Sequence, residues 1–371
     1  MVIDNLGSGG AQNQLTLLAK GLQESGHTVH VFTYFGQDFF KKRLEESSIK
    51  LIYQPKKTKL GLGVIKALKK LYQTEKYDTV ISFLDTPNFY AVAAKKLSRH
   101  KPPAIISYRS MTDFGTLSLW SLWLKKWVNR QADWIVSNSY HEQERWLQKF
   151  PWLKYKWSVI YNAVSFKRSI EYQTSDEPPI RLLVVGSISS YKNGLRVIEE
   201  LKILRERGID FILNWVGAQQ NSKERLNYRR RMENLIDEYH LRRTWQWTEP
   251  EADIQAIYAR HDVLVLASEI EGLPNVVCEA MYNGLICVLS NTLEHPKLIG
   301  HDRGFLFDLD RIGSMADSIQ RILVLSQEER ERIKETAMQY AKREFSLEKF
   351  TESYLELIDK LTSSDTDSTK R

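Results

Sequence analysis

Glu271-Gly-Leu-Pro-Asn-Val-Val-Cys-Glu279 sets two carboxylates across a strand-to-helix junction, with seven residues between them. Upstream, Asp262-Val-Leu-Val-Leu-Ala-Ser268 is short, apolar and β-branched, the pattern of a strand buried on both faces. Downstream, Asn275–Asn283 reads as a helix, and Gly284 supplies its C-terminal stop. Pro274 fits the first helical turn, where a missing N–H leaves no bond unmade. Glu271 is therefore expected in the loop above the strand, and Glu279 about a turn into the helix. The backbone N–H groups of Gly272, Leu273, Pro274's neighbour Asn275 and Val276 are expected to face the same cleft. Two acceptors flanking a row of donors suit the hydroxyls of a sugar.

The rest of the chain bounds this reading. A length of 371 residues exceeds one ordinary core and predicts two domains. Hydrophobic residues at 42% and charged residues at 27% are ordinary for a globular protein. No apolar run reaches the roughly 20 residues of a membrane span, and no signal peptide opens the sequence. Two cysteines, Cys278 and Cys287, cannot form a disulfide framework, which fits a reducing cytoplasm. Neither stands in ligand spacing with the eight histidines, so no metal site is read. Charge is unevenly divided. Residues 1–165 hold 24 of the 53 Lys and Arg and 12 of the 46 Asp and Glu, a surplus of +12; residues 166–371 carry the balancing −5. The first half thus expects an anionic partner: lipid, nucleic acid or a phosphorylated substrate.

Apolar runs alternate with amphipathic segments throughout, as in parallel α/β domains. Strands are predicted near Thr28–Tyr34, Thr79–Phe83, Ala104–Ser107, Trp134–Ser137 and Ser158–Tyr161, then Ile180–Val185, Phe211–Val216, Val263–Ala267 and Leu285–Leu289. Helices are predicted at Ala11–Ser25, Val64–Glu75, Asn88–Leu97 and Leu117–Ala132, then Gly194–Arg207, Lys223–Tyr239, Ala252–Ala259 and Asn275–Tyr282. Domains follow at 1–164 and 180–345, with a polar linker at 165–179, a last helix at 346–361 and a Ser/Thr/Asp-rich tail at 362–371 expected to be disordered. Met1-Val-Ile3 is a very short first strand, either curtailed or preceded by an upstream start.

Glycine-rich turns mark both halves. Gly7-Ser-Gly9-Gly10 opens the first helix and offers backbone N–H groups to an anion; it lacks the Gly-x-Gly-x-x-Gly spacing of nicotinamide sites. Val184-Val-Gly186-Ser187-Ile-Ser-Ser-Tyr-Lys192-Asn193 occupies the equivalent place in the second half. An ordinary tight turn and a solvated lysine are the plain alternatives. With Gly-Leu-Pro-Asn and Glu-Ala-Met in register after a buried strand, the chain resembles retaining glycosyltransferases of the GT-B fold, family GT4. That resemblance implies two Rossmann-like parallel-sheet domains facing a central cleft, with the last helix returning to the first domain. It is supported in order by Ser82-Phe-Leu-Asp-Thr-Pro-Asn88, Ser137-Asn-Ser139, Ile160-Tyr-Asn-Ala163, Val216-Gly217 and Ser290-Asn-Thr292.

The resemblance also assigns roles. Glu279 would hold the ribose, Glu271 the transferred sugar and the backbone at Leu273–Val276 the sugar and phosphate oxygens. Gly186, Ser187, Asn193 and Gly217 would line the donor site. Lys192 would neutralise the leaving diphosphate. Gly9 and Gly10 would lie beside the phosphates and the acceptor. The family's usual arginine after the second-half glycine is here Ser187, and no histidine occurs between His100 and His141, where many relatives carry one. Arg109, in Ile105-Ile-Ser-Tyr-Arg-Ser-Met111, becomes the candidate for substrate or phosphate contact, with Tyr108 and Ser110 secondary. The implied activity is metal-independent transfer of a hexose or N-acetylhexosamine from a UDP- or GDP-sugar to a lipid-linked glycan, with no cofactor. The alternatives are a non-catalytic sugar-nucleotide or membrane-surface binding protein and, less suited by its residues, an epimerase; no nucleic-acid motif accompanies the basic half. Trp120, Trp123 and Trp127 recur on one helical face beside Lys125, Lys126 and Arg130, and Lys56–Lys70 contains six lysines. Core packing and an anionic membrane surface both fit that pattern, the latter placing the protein peripherally on the inner face of the cytoplasmic membrane.

Overall fold

The computed structural model describes residues 1–164, 178–217, 222–249 and 254–368, with side chains through 363. The described chain separates into two compact units, residues 1–163 with 345–371, and residues 164–344. Most of the expected linker, 165–177, lies outside the described residues.

Unit 1 runs α1 (Gly10–Glu24), β1 (His30–Thr33), α2 (Lys41–Glu46), β2 (Lys50–Tyr53), α3 (Leu62–Glu75), β3 (Val80–Phe83), α4 (Asp85–Leu97), β4 (Ala104–Tyr108), α5 (Leu119–Gln131), β5 (Trp134–Ser137), α6 (Tyr140–Lys149) and β6 (Trp157–Val159). Strands β2 and β1 pair in parallel, as do β3, β4, β5 and β6. Val2 joins the two groups by parallel bridges to Phe32 and Ser82. The first strand is thus a single bridging residue, held by Val2 N–H to Ile81 O (2.8 Å) and Ile3 N–H to Phe32 O (3.1 Å). Central strands such as Val-Ile-Ser-Phe are buried at every position because helices cover both faces.

Unit 2 runs β7 (Ile180–Val185), α7 (Gly194–Glu206), β8 (Phe211–Val216), α8 (Lys223–Glu238), β9 (Trp245–Thr248), α9 (Ile254–Tyr258), β10 (Val263–Leu266), α10 (Asn275–Tyr282), β11 (Ile286–Ser290), α11 (His295–Ile299), β12 (Gly304–Phe307), α12 (Ser314–Val324) and α13 (Gln327–Glu344). Its six strands order as β12-β11-β10-β7-β8-β9, all parallel. Order reverses between β7 and β10, and at such a switch point the loops on the two sides part to leave a crevice at the carboxyl edge.

A final helix, α14 (Leu347–Ser368), belongs to unit 1. Its Phe350, Tyr354 and Leu357 join the core formed by Leu15, Leu18, Ala19 and Leu22 of α1. This differs from the expected disordered tail at 362–371: the helix continues to Ser368, with the Thr362 and Ser363 hydroxyls bonded to the Ile358 and Asp359 carbonyls four residues back. Residues 369–371 lie outside the described residues. Several elements were not anticipated: α2, β2, α6, β9, α11, β12, α12 and α13. Five of these are six residues or fewer, too short for hydrophobic periodicity to mark, whereas α6 and α12 carry an amphipathic pattern.

Phe350 is 2% exposed and packs edge-on to Tyr354, with ring centroids 5.3 Å apart. Phe350→Ala is expected to destabilise unit 1 by about 3–5 kcal/mol through the cavity it leaves. Urea denaturation followed by a probe in each unit should show unit 1 unfolding earlier while unit 2 keeps its midpoint.

Candidate functional site

The turn between β7 and α7 begins at Gly186, whose φ of +147° is a conformation that side chains rarely adopt. A Cβ there would come within 3.1 Å of Lys192 Cε. The Gly186 N–H reaches Val216 O (2.8 Å), and its carbonyl accepts from Trp215 Nε1 (3.0 Å). Gly217 is the stricter case. A Cβ on it would stand 2.0 Å from the Gly186 carbonyl oxygen, so the two turns can touch only with glycine at 217. Ser187 lies partly exposed in this turn. Asn193, with φ of +53°, ends the turn in a left-handed conformation that asparagine tolerates and opens α7.

The loop after β10 meets this turn through three contacts. Glu269 N–H donates to Tyr191 O (2.9 Å), and Asn193 Nδ2 donates to Glu269 Oε1 (2.9 Å). Lys192 forms an ion pair with Glu271, whose Oε1 also accepts from Ser268 Oγ (3.1 Å). Both side chains of the pair are about four-fifths buried, at 17% and 18% exposure. The network extends to the next strand: Ser290 Oγ donates to Ser268 O (2.9 Å), and Thr292 Oγ1 does the same (3.2 Å). His295, fully buried, places Nδ1 against Ser290 O (2.8 Å). A carbonyl only accepts, so Nδ1 carries the proton, and Nε2 is left as a buried acceptor with no hydrogen bond among the described residues. Burial lowers the His295 pKa to about 4, against smaller raising influences from its bond to the Ser290 carbonyl and from Glu271.

Pro274 caps α10 from outside, one position before the expected first turn, and Asn275 starts the helix. Gly284, at φ of +71°, follows the C-cap. Glu279 is partly exposed and stands one turn into α10. Its Oε2 accepts from the hydroxyl of Tyr258 (2.8 Å), which is wholly buried at the end of α9. Burial raises the Glu279 pKa, and the Tyr258 bond works against that rise by stabilising the carboxylate. Gly272 and Val276 are partly exposed and Leu273 is buried. The triplet Asp308-Leu-Asp310 follows β12, and Asp308 Oδ1 accepts from the Asp310 N–H (2.9 Å). No group of three or more metal-ligating side chains occurs among the described residues.

Three candidates lie in unit 1. Gly9 caps α1 in extended conformation and Gly10 is its first residue; both are exposed. Arg109 turns inward. Its guanidinium covers the Phe83 ring at 4.4 Å and also faces Phe350 and Tyr354 of α14. Nη1 donates to Asn162 Oδ1 (2.9 Å) and Ile160 O (3.3 Å), and Nη2 to the Tyr354 hydroxyl. Both terminal nitrogens therefore bind within unit 1. Tyr108 is likewise engaged, donating to Asn129 Oδ1 (2.8 Å) between Trp146 and Trp157. The lesser sequence matches do structural work nearby: Ser82 bonds Asn88 (2.7 Å), Asn88 bonds Ser107 O (3.2 Å), and Ala163 exchanges two bonds with Gln14. A cavity of about 290 Å³ opens at the carboxyl edge of this sheet, lined by Asp4, Phe35, Lys56, Asp85, Arg109 and Ser110 among others.

Sequence reasoning passed over Ser268, Tyr258, Glu269 and His295. Ser268 closes the quoted strand and Ser290 stood in a minor match, so both were within reach. Tyr258 and His295 carry no local signal, because only the sheet order brings them to the site. His295 has an acid-stability consequence. Between pH 6.5 and 4 the unfolded chain binds a proton there that the folded protein does not, so stability rises with pH across that window. The contribution is about 3 kcal/mol, present above pH 6.5 and lost as pH falls toward 4. His295→Asn should flatten that part of the stability–pH curve relative to wild type, measured by urea denaturation at stepped pH.

With this geometry in place, the comparisons with known proteins are consistent. Residues 165–340 match the family described as glycosyl transferases group 1, and residues 8–168 match glycosyltransferase family 4. An undecaprenol-diphosphate-linked glycan α-1,4-N-acetyl-D-galactosaminyltransferase of Campylobacter jejuni is 25% identical, over 96% of this chain and 97% of its own. An Escherichia coli UDP-Gal:α-D-GlcNAc-diphosphoundecaprenol α-1,3-galactosyltransferase is 24% identical over 69% of each. Among solved structures, HepE of Anabaena in complex with UDP superposes with a TM-score of 0.81 at 19% identity, over 97% of this chain and 99% of that one. A glycosyltransferase of Rickettsia africae gives the same score and identity, with 97% coverage of both. Two Rossmann-like units, a glycine turn beside Lys192 and the Glu271–Glu279 junction thus belong to one architecture, and the chain is a member of the GT4 glycosyltransferases with the GT-B fold.

Proposed function

We propose that this chain is a retaining glycosyltransferase that moves a hexose or N-acetylhexosamine from a UDP-sugar to a growing lipid-linked glycan. The observation that carries the reading is the Lys192–Glu271 pair, a cation and a carboxylate held together at the carboxyl edge of the unit 2 sheet. Bound UDP and UDP-glucose in HepE, and the diphosphoundecaprenol substrates in the names of the Campylobacter and Escherichia enzymes, support the donor and acceptor classes.

In this reading Glu279 accepts hydrogen bonds from the ribose hydroxyls through Oε1, while Tyr258 occupies Oε2. Glu271 orients the transferred sugar, and backbone N–H groups between Leu273 and Val276 meet sugar and phosphate oxygens. Lys192 exchanges part of its contact with Glu271 for the departing diphosphate, where positive charge stabilises the transition state. The bond from the anomeric carbon to the phosphate oxygen breaks, and the bond to the acceptor oxygen forms on the same face. The acceptor's proton passes to the leaving phosphate oxygen, which releases nucleoside diphosphate and conserves the anomeric configuration. No metal bridges the phosphates in this scheme: Lys192 supplies the positive charge, and Ser187 and backbone N–H groups supply hydrogen bonds. Gly9 and Gly10 lie on the acceptor side. Arg109 acts indirectly, by fixing α14 to the end of β4.

Release of nucleoside diphosphate on mixing donor and acceptor tests the activity directly. Glu279→Ala should weaken donor binding by about 10- to 100-fold, and Lys192→Ala should lower kcat by about 100- to 1,000-fold with little change in donor affinity. Full activity in both variants would overturn the site. Tyr258→Phe removes the bond that lowers the Glu279 pKa. The variant's carboxyl should ionise only at higher pH, so the acid limb of its donor-binding profile should move upward, as read by calorimetric titration with UDP.

A further inference from the structure

We infer that unit 1 docks on an anionic lipid bilayer through the start of α5, with Leu119, Trp120 and Trp123 entering the interface. The helix sequence Leu-Trp-Ser-Leu-Trp-Leu-Lys-Lys-Trp-Val-Asn-Arg-Gln contains no acid, yet its buried side is small, limited to Val128 and Asn129. Its three tryptophans divide. Trp127 turns inward against Phe89, with ring centroids 6.0 Å apart. Trp120 and Trp123 stack on each other at 4.9 Å and are 68% and 53% exposed, next to Leu119 at 87%. Three large apolar side chains side by side in water are unfavourable unless something covers them. Stacked, exposed indoles beside an exposed leucine are the composition of an interfacial anchor.

Neighbouring elements extend the patch and set its charge. Helix α4 packs between α3 and α5, so the starts of α3 and α5 share the carboxyl edge of the sheet. Leu60 and Leu62, at the start of α3, are also exposed. Lys57, Lys59 and Lys66 around them point to solvent. From Arg109 to Gln131 the one acid is Asp113, and Asp85 at the start of α4 is neutralised by Lys125. A second copy of the chain would bring this basic surface against itself, whereas an anionic bilayer complements it. Asp85 and Lys56 also line the 290 Å³ cavity, so docking would bring that cavity's mouth toward the bilayer. Only this last point rests on the lipid-linked acceptor proposed above.

The test is co-sedimentation with vesicles of phosphatidylglycerol and phosphatidylethanolamine, against vesicles of phosphatidylcholine alone. Wild type should sediment with the anionic vesicles, weakly with the neutral ones, and be released by high salt. The Trp120→Ser, Trp123→Ser double variant should lose affinity for anionic vesicles by about tenfold or more. Lys57→Ser with Lys59→Ser should reduce binding and its salt dependence while leaving the tryptophans in place. Unchanged vesicle binding in the tryptophan variant overturns the inference, as does a wild-type dimer in solution that the same variant converts to monomer. UDP binding measured in vesicle-free buffer separates this from the catalytic reading: if wild type binds UDP but no vesicles, the docking surface fails and the transferase stands.

Discussion

Lys192 and Glu271 are 79 residues apart in the chain, and they meet because β7 and β10 are adjacent, parallel strands. Neighbouring parallel strands run about 4.8 Å apart and end on the same edge. Each is followed by a loop that must turn away to its own helix, and between β7 and β10 the chain turns in opposite directions. The crevice therefore follows from strand order, and the sequence supplies what lines it. Gly217 adds a second constraint: its missing Cβ lets the turn after β8 touch the carbonyl of Gly186. A side chain at Gly217 would separate these turns, whereas one at Gly186 would press on Lys192 itself.

A cation and a carboxylate in a partly buried site are best explained by their pairing. Neither could stand alone there without a desolvation penalty of several kcal/mol. The pair orients both groups, and the Ser268 hydroxyl shares the Glu271 Oε1 that Lys192 holds. Tyr258 acts on Glu279 by occupying one oxygen of its carboxylate. His295 remains neutral behind the network, so the buried layer beneath the ion pair adds no positive charge to compete with Lys192.

Unit 1 uses its cation differently. Arg109 is stacked on Phe83 and reaches both the loop after β6 and the hydroxyl of Tyr354. A planar guanidinium with donors on several edges suits such a junction, where three segments distant in sequence must be joined. The last helix completes the core on the α1 face, and the sequence pattern of its Phe350, Tyr354 and Leu357 already marks that apolar side. The α5 face makes the opposite use of aromatic residues, exposing two of three tryptophans.

The alternation of buried strands with amphipathic helices, and the phrase from Glu271 to Glu279, specified a parallel two-unit α/β chain and set two candidate carboxylates at one strand-to-helix junction. That information is local: β-branched runs, helix stops and glycine turns state their conformations within a few residues. The sequence could not tell whether Arg109 faces a ligand or the protein, nor which tryptophans of α5 are covered. It also could not show that Tyr258 and His295 stand behind the candidate carboxylates. Those matters depend on strand order and on which helix face meets the sheet, and both are settled by packing among residues tens to hundreds of positions apart. Local patterning determined the elements; the tertiary structure decided the partners, because a side chain's charge and exposure are set by what is brought against it.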